Sequence, residues 1–407
     1  MGISTARRLP AGADPVLHQA PRPFAAEPSP PPPLQLQPRT AAERLLSLDV
    51  FRGITIVAML MVNNPGTARF GYRALQHAEW NGCQPPDLIF PFFLFIVGVA
   101  IIYSLAKQES RAVPRGAIII KIVRRSLVLC GVGLLLNALP YFDWEITRIP
   151  GVLQRIALCY FMASLVVVYT GVRGQALTAA LLLLAYWVLM TWVPVPGYGA
   201  GDLQPEANLG AYIDRALMGG HLWHHHWDPE GLLSSVPAVS TTLIGVLAGH
   251  WLRAQRSSNQ RFIGLLLGGA VGIGLGLAMD IWFPINKNLW TSSYVVFTGG
   301  AALISLGLCY WLVDLKGYKR WATPFVIFGT NAIAAYALST LMTKALALWT
   351  VVRPDGKPVM LKTYLFERYF LPLATHRQAA VLYALAFVTL WLVLMSILYR
   401  KRIFIRI

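Results

Sequence analysis

Long apolar runs alternate with short polar connections along this chain, and from about position 46 the pattern continues almost to the C-terminus. The runs fall at 46–64, 86–106, 118–138, 150–170, 175–193, 235–252, 260–281, 290–313, 321–349 and 378–400. Each reaches the roughly 20 residues that a helix needs to cross a hydrocarbon core. The 321–349 run is long enough to break on the way. The pattern predicts an all-α, polytopic transmembrane helix bundle of about ten spans, with the lipid bilayer as its solvent. Composition agrees, since 56% of the 407 residues are hydrophobic and 13% charged, against about 25% charged in soluble domains.

The net charge of +17 changes the picture only through its placement. Lys107, Arg111, Arg115, Lys121, Arg124 and Arg125 lie between the second and third runs. Arg173, then Arg253, Arg256 and Arg261, then Lys316, Lys319 and Arg320, and finally Arg400, Lys401, Arg402 and Arg406 mark alternate connections. Such alternation is the signature of the positive-inside rule, so it argues for a membrane and against nucleic acid. It puts both termini in the cytoplasm and the connections 65–85, 139–149, 194–234, 282–289 and 350–377 outside. Cys130, Cys159 and Cys309 fall within spans, which leaves Cys83 alone outside and excludes an outer disulfide framework in one chain. Residues 1–43 carry Pro28 and Pro30 to Pro33 without apolar periodicity. They read as a disordered cytoplasmic tail, without the apolar core of a cleavable signal peptide. Residues 44–407 read as one transmembrane domain.

Polar residues at span ends are the candidate chemistry. Asp49 and Arg52 share a helix face, as an interfacial ion pair or as a polar floor for a charged ligand. Asn63 and Asn64 close the first run, as caps or as donors to a carbonyl. The outer turn then reads Leu75-Gln76-His77-Ala78-Glu79-Trp80-Asn81-Gly82. Imidazole takes up protons near neutral pH, Glu79 is placed to orient it, and Trp80 offers a flat face to a sugar. Asp87 follows at the outer mouth of the second span. Arg124 and Arg125 serve as topology markers or as bidentate phosphate ligands. In Arg148-Ile149-Pro150-Gly151-Val152-Leu153-Gln154-Arg155, Gln154 and Arg155 lie more than a turn inside the span. An isolated charge is disfavoured there, so both are expected to face the bundle interior and meet a carboxylate, phosphate or substrate. The stretch from Gly220 to Gly231 holds His221, His224, His225, His226, Asp228 and Glu230. Neighbouring histidines do not readily share one ion, so no metal site is expected and carbohydrate contact suits this loop better.

Taken in order, "LDVFRG", "MVNN", "QHAEWNG", "DLIFPFFLFIVG", "RIPGVLQR", "WDPEGLLSSVPA" and "PINKNLWTSSYV" resemble the heparan-α-glucosaminide N-acetyltransferase family. The resemblance runs from about Leu46 to Ile397. It implies an acyltransferase that moves an acetyl group from cytosolic acetyl-CoA to the amine of a glucosamine-type sugar across the membrane. It also implies a bacterial inner-membrane relative without the large luminal N-terminal domain of the animal enzyme. The family's active-site histidine falls on His77 and its asparagine on Asn63, with a slightly longer stretch between the two here. The resemblance makes His77 a general base or an acetyl carrier and Asn63 an oxyanion donor. Trp80, Glu79, Asn81, Asp87, Asp228 and Glu230 become sugar contacts, and Arg124, Arg125, Arg155 and Gln154 contacts to CoA. A second copy of the chain is a candidate partner. Two rival classes use the same residues: a transporter of an amino sugar or sugar acid, and a non-catalytic partner in polysaccharide assembly.

Overall fold

The computed structural model describes residues 45–67, 72–224 and 226–405, with Met1 and Gly2. The chain divides into two units, Met1–Thr40 and Ala41–Ile407. Most of the first, and with it the expected disordered tail, lies outside the described residues. The second is a polytopic helical bundle. Its helices are α1 (Leu46–Asn63), α2 (Ile89–Glu109), α3 (Arg115–Ala138), α4 (Val152–Tyr169), α5 (Val172–Trp192) and the short α6 (Leu209–Met218). There follow α7 (Ser235–Arg253), α8 (Ser258–Met279), α9 (Ser292–Cys309), α10 (Thr323–Thr330), α11 (Ala332–Leu348), α12 (Leu361–Leu365) and α13 (His376–Arg400). A π-helical turn, Tyr310–Leu315, prolongs α9. Two short antiparallel hairpins pair Val195 with Gly199 and Val351 with Val359 in the connections.

Among the described residues eight helices are long and apolar enough to cross a membrane, or nine if the bent pair α10–α11 counts as one span. The expectation of about ten is met in helix length by α3. That helix carries Lys121, Arg124 and Arg125 in its first half, too much charge to pass as an ordinary span. Inside and outside separate clearly. Central α7 is 72% buried, whereas α8 is 17% buried. The exposed side chains of α8 include Ile263, Leu267, Val271 and Leu275, spaced four apart on one apolar face that suits lipid.

The 321–349 run does break. α10 and α11 meet at Asn331 with an 81° bend. α10 crosses α1 at backbone contact: a Cβ on Gly53 would lie 1.8 Å from the Phe325 carbonyl oxygen, and one on Gly329 2.0 Å from that of Asp49. Only glycine permits that approach. α2 and α7 use the same device, with Gly98 against Thr242 and Gly245 against Phe95. At the elbow, the Asn331 amide donates to the Ile403 carbonyl at 3.1 Å and accepts from the Ile405 N–H at 2.9 Å. Arg402, at φ 56°, reverses the chain so that the C-terminal segment reaches this point. Asn331→Ala should loosen that segment, since each hydrogen bond contributes about 0.5–1.5 kcal/mol. Trypsin cleavage after Arg402 should then quicken in detergent, and an unchanged rate would mean that other contacts hold the tail.

Candidate functional site

Residues 52, 56, 59 and 63 of α1 recur at helical spacing, so Arg52, Ile56, Met59 and Asn63 form one face. All four line a cavity of about 660 Å³. The stretch of α1 that borders it is about 16 Å long at 1.5 Å per residue, so the cavity follows the helix through much of the apolar layer. Arg125 of α3, Tyr160 of α4 and Tyr336 of α11 line it too, and His77, Arg148, Glu230 and Lys287 close one end.

The turn bearing His77 is built against a distant loop. Gly82, at φ +99°, donates its N–H to the Ile285 carbonyl at 2.7 Å, and Asn286 donates to the Asn81 side-chain oxygen at 3.0 Å. Asp87, 1% exposed, gathers the site at the start of the second span. One of its oxygens lies 2.6 Å from His77 Nδ1, and the other accepts the N–H groups of Ala78 at 3.1 Å and Gln84 at 2.8 Å. An ionised carboxylate only accepts, so the proton is assigned to Nδ1 and the lone pair to Nε2. This is the orientation a base or nucleophile requires. The Lys287 nitrogen reaches the same point, 2.9 Å from Nδ1, 3.4 Å from Nε2 and 3.5 Å from the Asp87 carboxylate. Burial lowers Lys287 below the usual lysine range, and the Asp87 and Glu230 carboxylates offset this only in part. Burial also pushes the nearby Cys83 thiol up to about 12, with the Asp87 charge adding to the effect. That thiol stays protonated at neutral pH and is no rival nucleophile.

The expected sugar contacts divide. Glu79 is exposed, and the carboxylate that meets the imidazole is Asp87 instead. Trp80 stands off the cavity lining: its ring packs edge-on against Trp227 at 5.2 Å and its N–H donates to the Leu203 carbonyl at 3.1 Å. Asn81 is occupied by Asn286. Asp228 binds Arg148 in two-pronged fashion, at 2.8 and 2.5 Å, while Glu230 takes the same guanidinium and lines the cavity. Burial opposes the Arg148 charge, yet the hydrogen bond to Asp228 and the two carboxylate charges raise its pKa above the usual arginine value. Asp228→Ala would leave a half-paired guanidinium in a buried site. Broken buried pairs cost about 3–5 kcal/mol, so a clear fall in thermal stability in detergent is expected. An unchanged midpoint would show that Glu230 suffices alone.

The expected donor contacts divide as well. Arg125 lines the cavity with its guanidinium 4.6 Å above the Tyr160 ring, and its buried Nε–H has no partner among the described residues. Arg124, its neighbour, is exposed away from the lining. Arg155 is 2% exposed and does face the bundle interior, but it lies outside the cavity lining. It donates to the Gly231 carbonyl at 3.1 Å and to the Ser234 hydroxyl, and it lies 5.1 Å from the centre of the Trp290 ring. Gln154 donates to the Ile149 carbonyl at 3.1 Å and packs against Gly133 and Gly151. In the histidine-rich loop, His224 stacks on Trp227 at 4.6 Å and His221 Nδ1 lies 2.9 Å from the Thr147 carbonyl oxygen; His225 lies outside the described residues. Of the two amides ending α1, Asn63 lines the cavity, while buried Asn64 accepts from Thr343 at 2.5 Å. Sequence reasoning missed Lys287 and Arg148 as members of this site. Their signal was present, since each sits in one of the conspicuous polar motifs at a span end.

A buried carboxylate, an imidazole and an amine at one end of a membrane cavity invite comparison with known proteins. The family model for the catalytic region of heparan-α-glucosaminide N-acetyltransferase matches residues 44–274, more than half of the chain. The chain belongs to this family. It is 30% identical to the mouse (Mus musculus) heparan-α-glucosaminide N-acetyltransferase over 91% of its own length and 61% of that protein's. For the human (Homo sapiens) enzyme the identity is 29%, over 89% of this chain and 60% of the relative. The chain therefore spans about three-fifths of these relatives. The matched region contains Asn63, His77, Asp87, Arg125, Arg148 and Glu230, while Lys287 and Tyr336 lie beyond it.

Proposed function

We propose that this protein is a transmembrane acetyltransferase that passes the acetyl group of cytosolic acetyl-CoA to the amine of a glucosamine-type sugar on the other side, in a bacterial inner membrane. The observation that carries the reading is the shared cavity. Arg52 and Arg125 line its course, and an Asp87-oriented His77 stands at one end. The mouse and human relatives, heparan-α-glucosaminide N-acetyltransferases, supply the reaction class.

In this reading Arg125 and Arg52 bind the phosphates of the donor, and the thioester reaches His77. Two routes follow. In one, Nε2 takes a proton from the sugar amine as that amine attacks the thioester carbon, then gives it to the departing sulfur, and CoA leaves as its thiol. In the other, Nε2 attacks first, and the acetyl group then moves from the imidazole to the amine. Asp87 stabilises the imidazolium in both, and Asn63 donates to the carbonyl oxygen as negative charge grows there. Glu230 and Arg148 border the acceptor end.

Sealed vesicles loaded with glucosamine and given radiolabelled acetyl-CoA outside test the reading. N-acetylated sugar inside supports it. Unmodified sugar crossing without acetylation would establish a transporter instead, and neither result would leave a non-catalytic partner. The same assay separates the two arginines. Arg125→Ala should raise the donor KM about tenfold or more, the worth of a charge-assisted hydrogen bond. Arg124→Ala should leave it within about twofold, as for exposed charges. Equal effects would remove phosphate binding from Arg125.

A further inference from the structure

Lys287 stands where an acceptor amine has to come. Its Nζ is 3.4 Å from His77 Nε2 and 2.9 Å from Nδ1, and it lines the same cavity. An acetyl group held at Nε2 would therefore lie within reach of this amine, the proximity that speeds transfer. We propose that Lys287 is the protein's own acetyl acceptor: with acetyl-CoA present and sugar absent, the site acetylates Lys287 Nζ and thereby closes itself. The inference rests on the acetyl-transfer reading above.

The chemistry balances with the groups at hand. The neutral Lys287 amine attacks the acetyl carbonyl, a C–N bond forms, and the C–S bond of the thioester breaks. His77 takes the amine proton and passes it to the departing sulfur, so that CoA leaves as its thiol. If acetyl-His77 forms first, the bond broken in the second step is that between acetyl and imidazole. Burial already disfavours the ammonium form of Lys287. The Asp87 carboxylate at 3.5 Å opposes this by favouring the ammonium, so attack by Lys287 is slow beside that of a bound sugar. Acetylation would remove the positive charge facing Asp87 and fill the space beside the imidazole with an amide. Each change blocks the next turnover. The device would couple activity to acceptor supply, because sugar in the site both drains the acetyl group and keeps Lys287 apart from it.

The test uses the full-length protein in detergent, isotopically labelled acetyl-CoA, and peptide mass spectrometry with and without glucosamine. Without sugar, Lys287 should carry label at least about tenfold above exposed Lys357, as proximity predicts. Glucosamine should lower the labelling, and His77→Ala and His77→Gln should abolish it. Preincubation with acetyl-CoA alone should inactivate the wild type progressively but not Lys287→Arg, whatever that variant's starting rate. Glucosamine acetylated while Lys287 stays unlabelled would overturn the proposal and leave the enzyme reading standing. Equal labelling of Lys357, or labelling that persists in both His77 variants, would also overturn it. Absence of any acetyl transfer, to lysine or to sugar, would overturn both readings together.

Discussion

His77→Ala should lower acetyl transfer by about 100-fold or more, the usual worth of a positioned acid–base group, while the protein remains folded and inserted. The side chain is 45% exposed at the cavity end, so its removal opens little space and strands no apolar neighbour. What disappears is the group whose free Nε2 takes the proton or the acetyl. The wild type discriminates the two routes: acetyl-CoA should exchange with labelled CoA in the absence of sugar if acetyl-His77 forms, and should not under direct transfer. A well-inserted His77→Ala protein that acetylates glucosamine at near the normal rate would remove His77 from the mechanism.

Asp87→Asn is the second large effect expected. Three N–H donors, from His77, Ala78 and Gln84, converge on this carboxylate. An amide brings two hydrogens of its own to a site built wholly of donors. One contact must fail, and turning the amide group to spare the backbone N–H groups presents the imidazole with a donor. The ring then holds its proton on Nε2, the tautomer that cannot act. Loss of the corresponding carboxylate in other carboxylate–histidine catalysts costs on the order of 10⁴-fold in turnover, and a fall of that order is expected here. Glu79→Gln provides the contrast: its exposed carboxylate does not meet the imidazole, so activity should stay within about twofold. Measured side by side in the vesicle assay, equal losses in the two variants would overturn the assignment of Asp87 as the orienting carboxylate.

These contrasts show how much of the site was readable in advance. His77 and Asn63 stood out through imidazole and amide chemistry and the family resemblance, and Arg125 as a phosphate ligand; all three line one cavity. The orienting carboxylate was sought two residues away at Glu79, and it lies ten residues away at Asp87. Local proximity misled because the Gln84–Asp87 turn folds back on the 77–78 backbone, a closure no periodicity announces. Of the two residues expected to face inward, Arg155 is buried, whereas Gln154 is half-buried where α4 meets α3 and donates to Ile149. A charge inside a bundle has two destinations, however, a ligand or the protein's own carbonyls. Arg155 meets Gly231 and Ser234. Trp80 likewise has the chemistry to hold a sugar, but it packs on Trp227.

By itself, the sequence determined the solvent of this protein, its all-helical class and the approximate places of its spans. Each of these follows from apolar runs long enough to satisfy their own backbone in lipid, and that requirement is local. The tertiary structure alone decided the break at Asn331, the glycine crossings of α1 with α10, and the meeting of His77, Asp87 and Lys287. Those depend on which helices touch and which loops close over one another. Residues 77 and 287 share no helix and no turn, and only the packing of the connections that carry them brings their nitrogens within 2.9 Å.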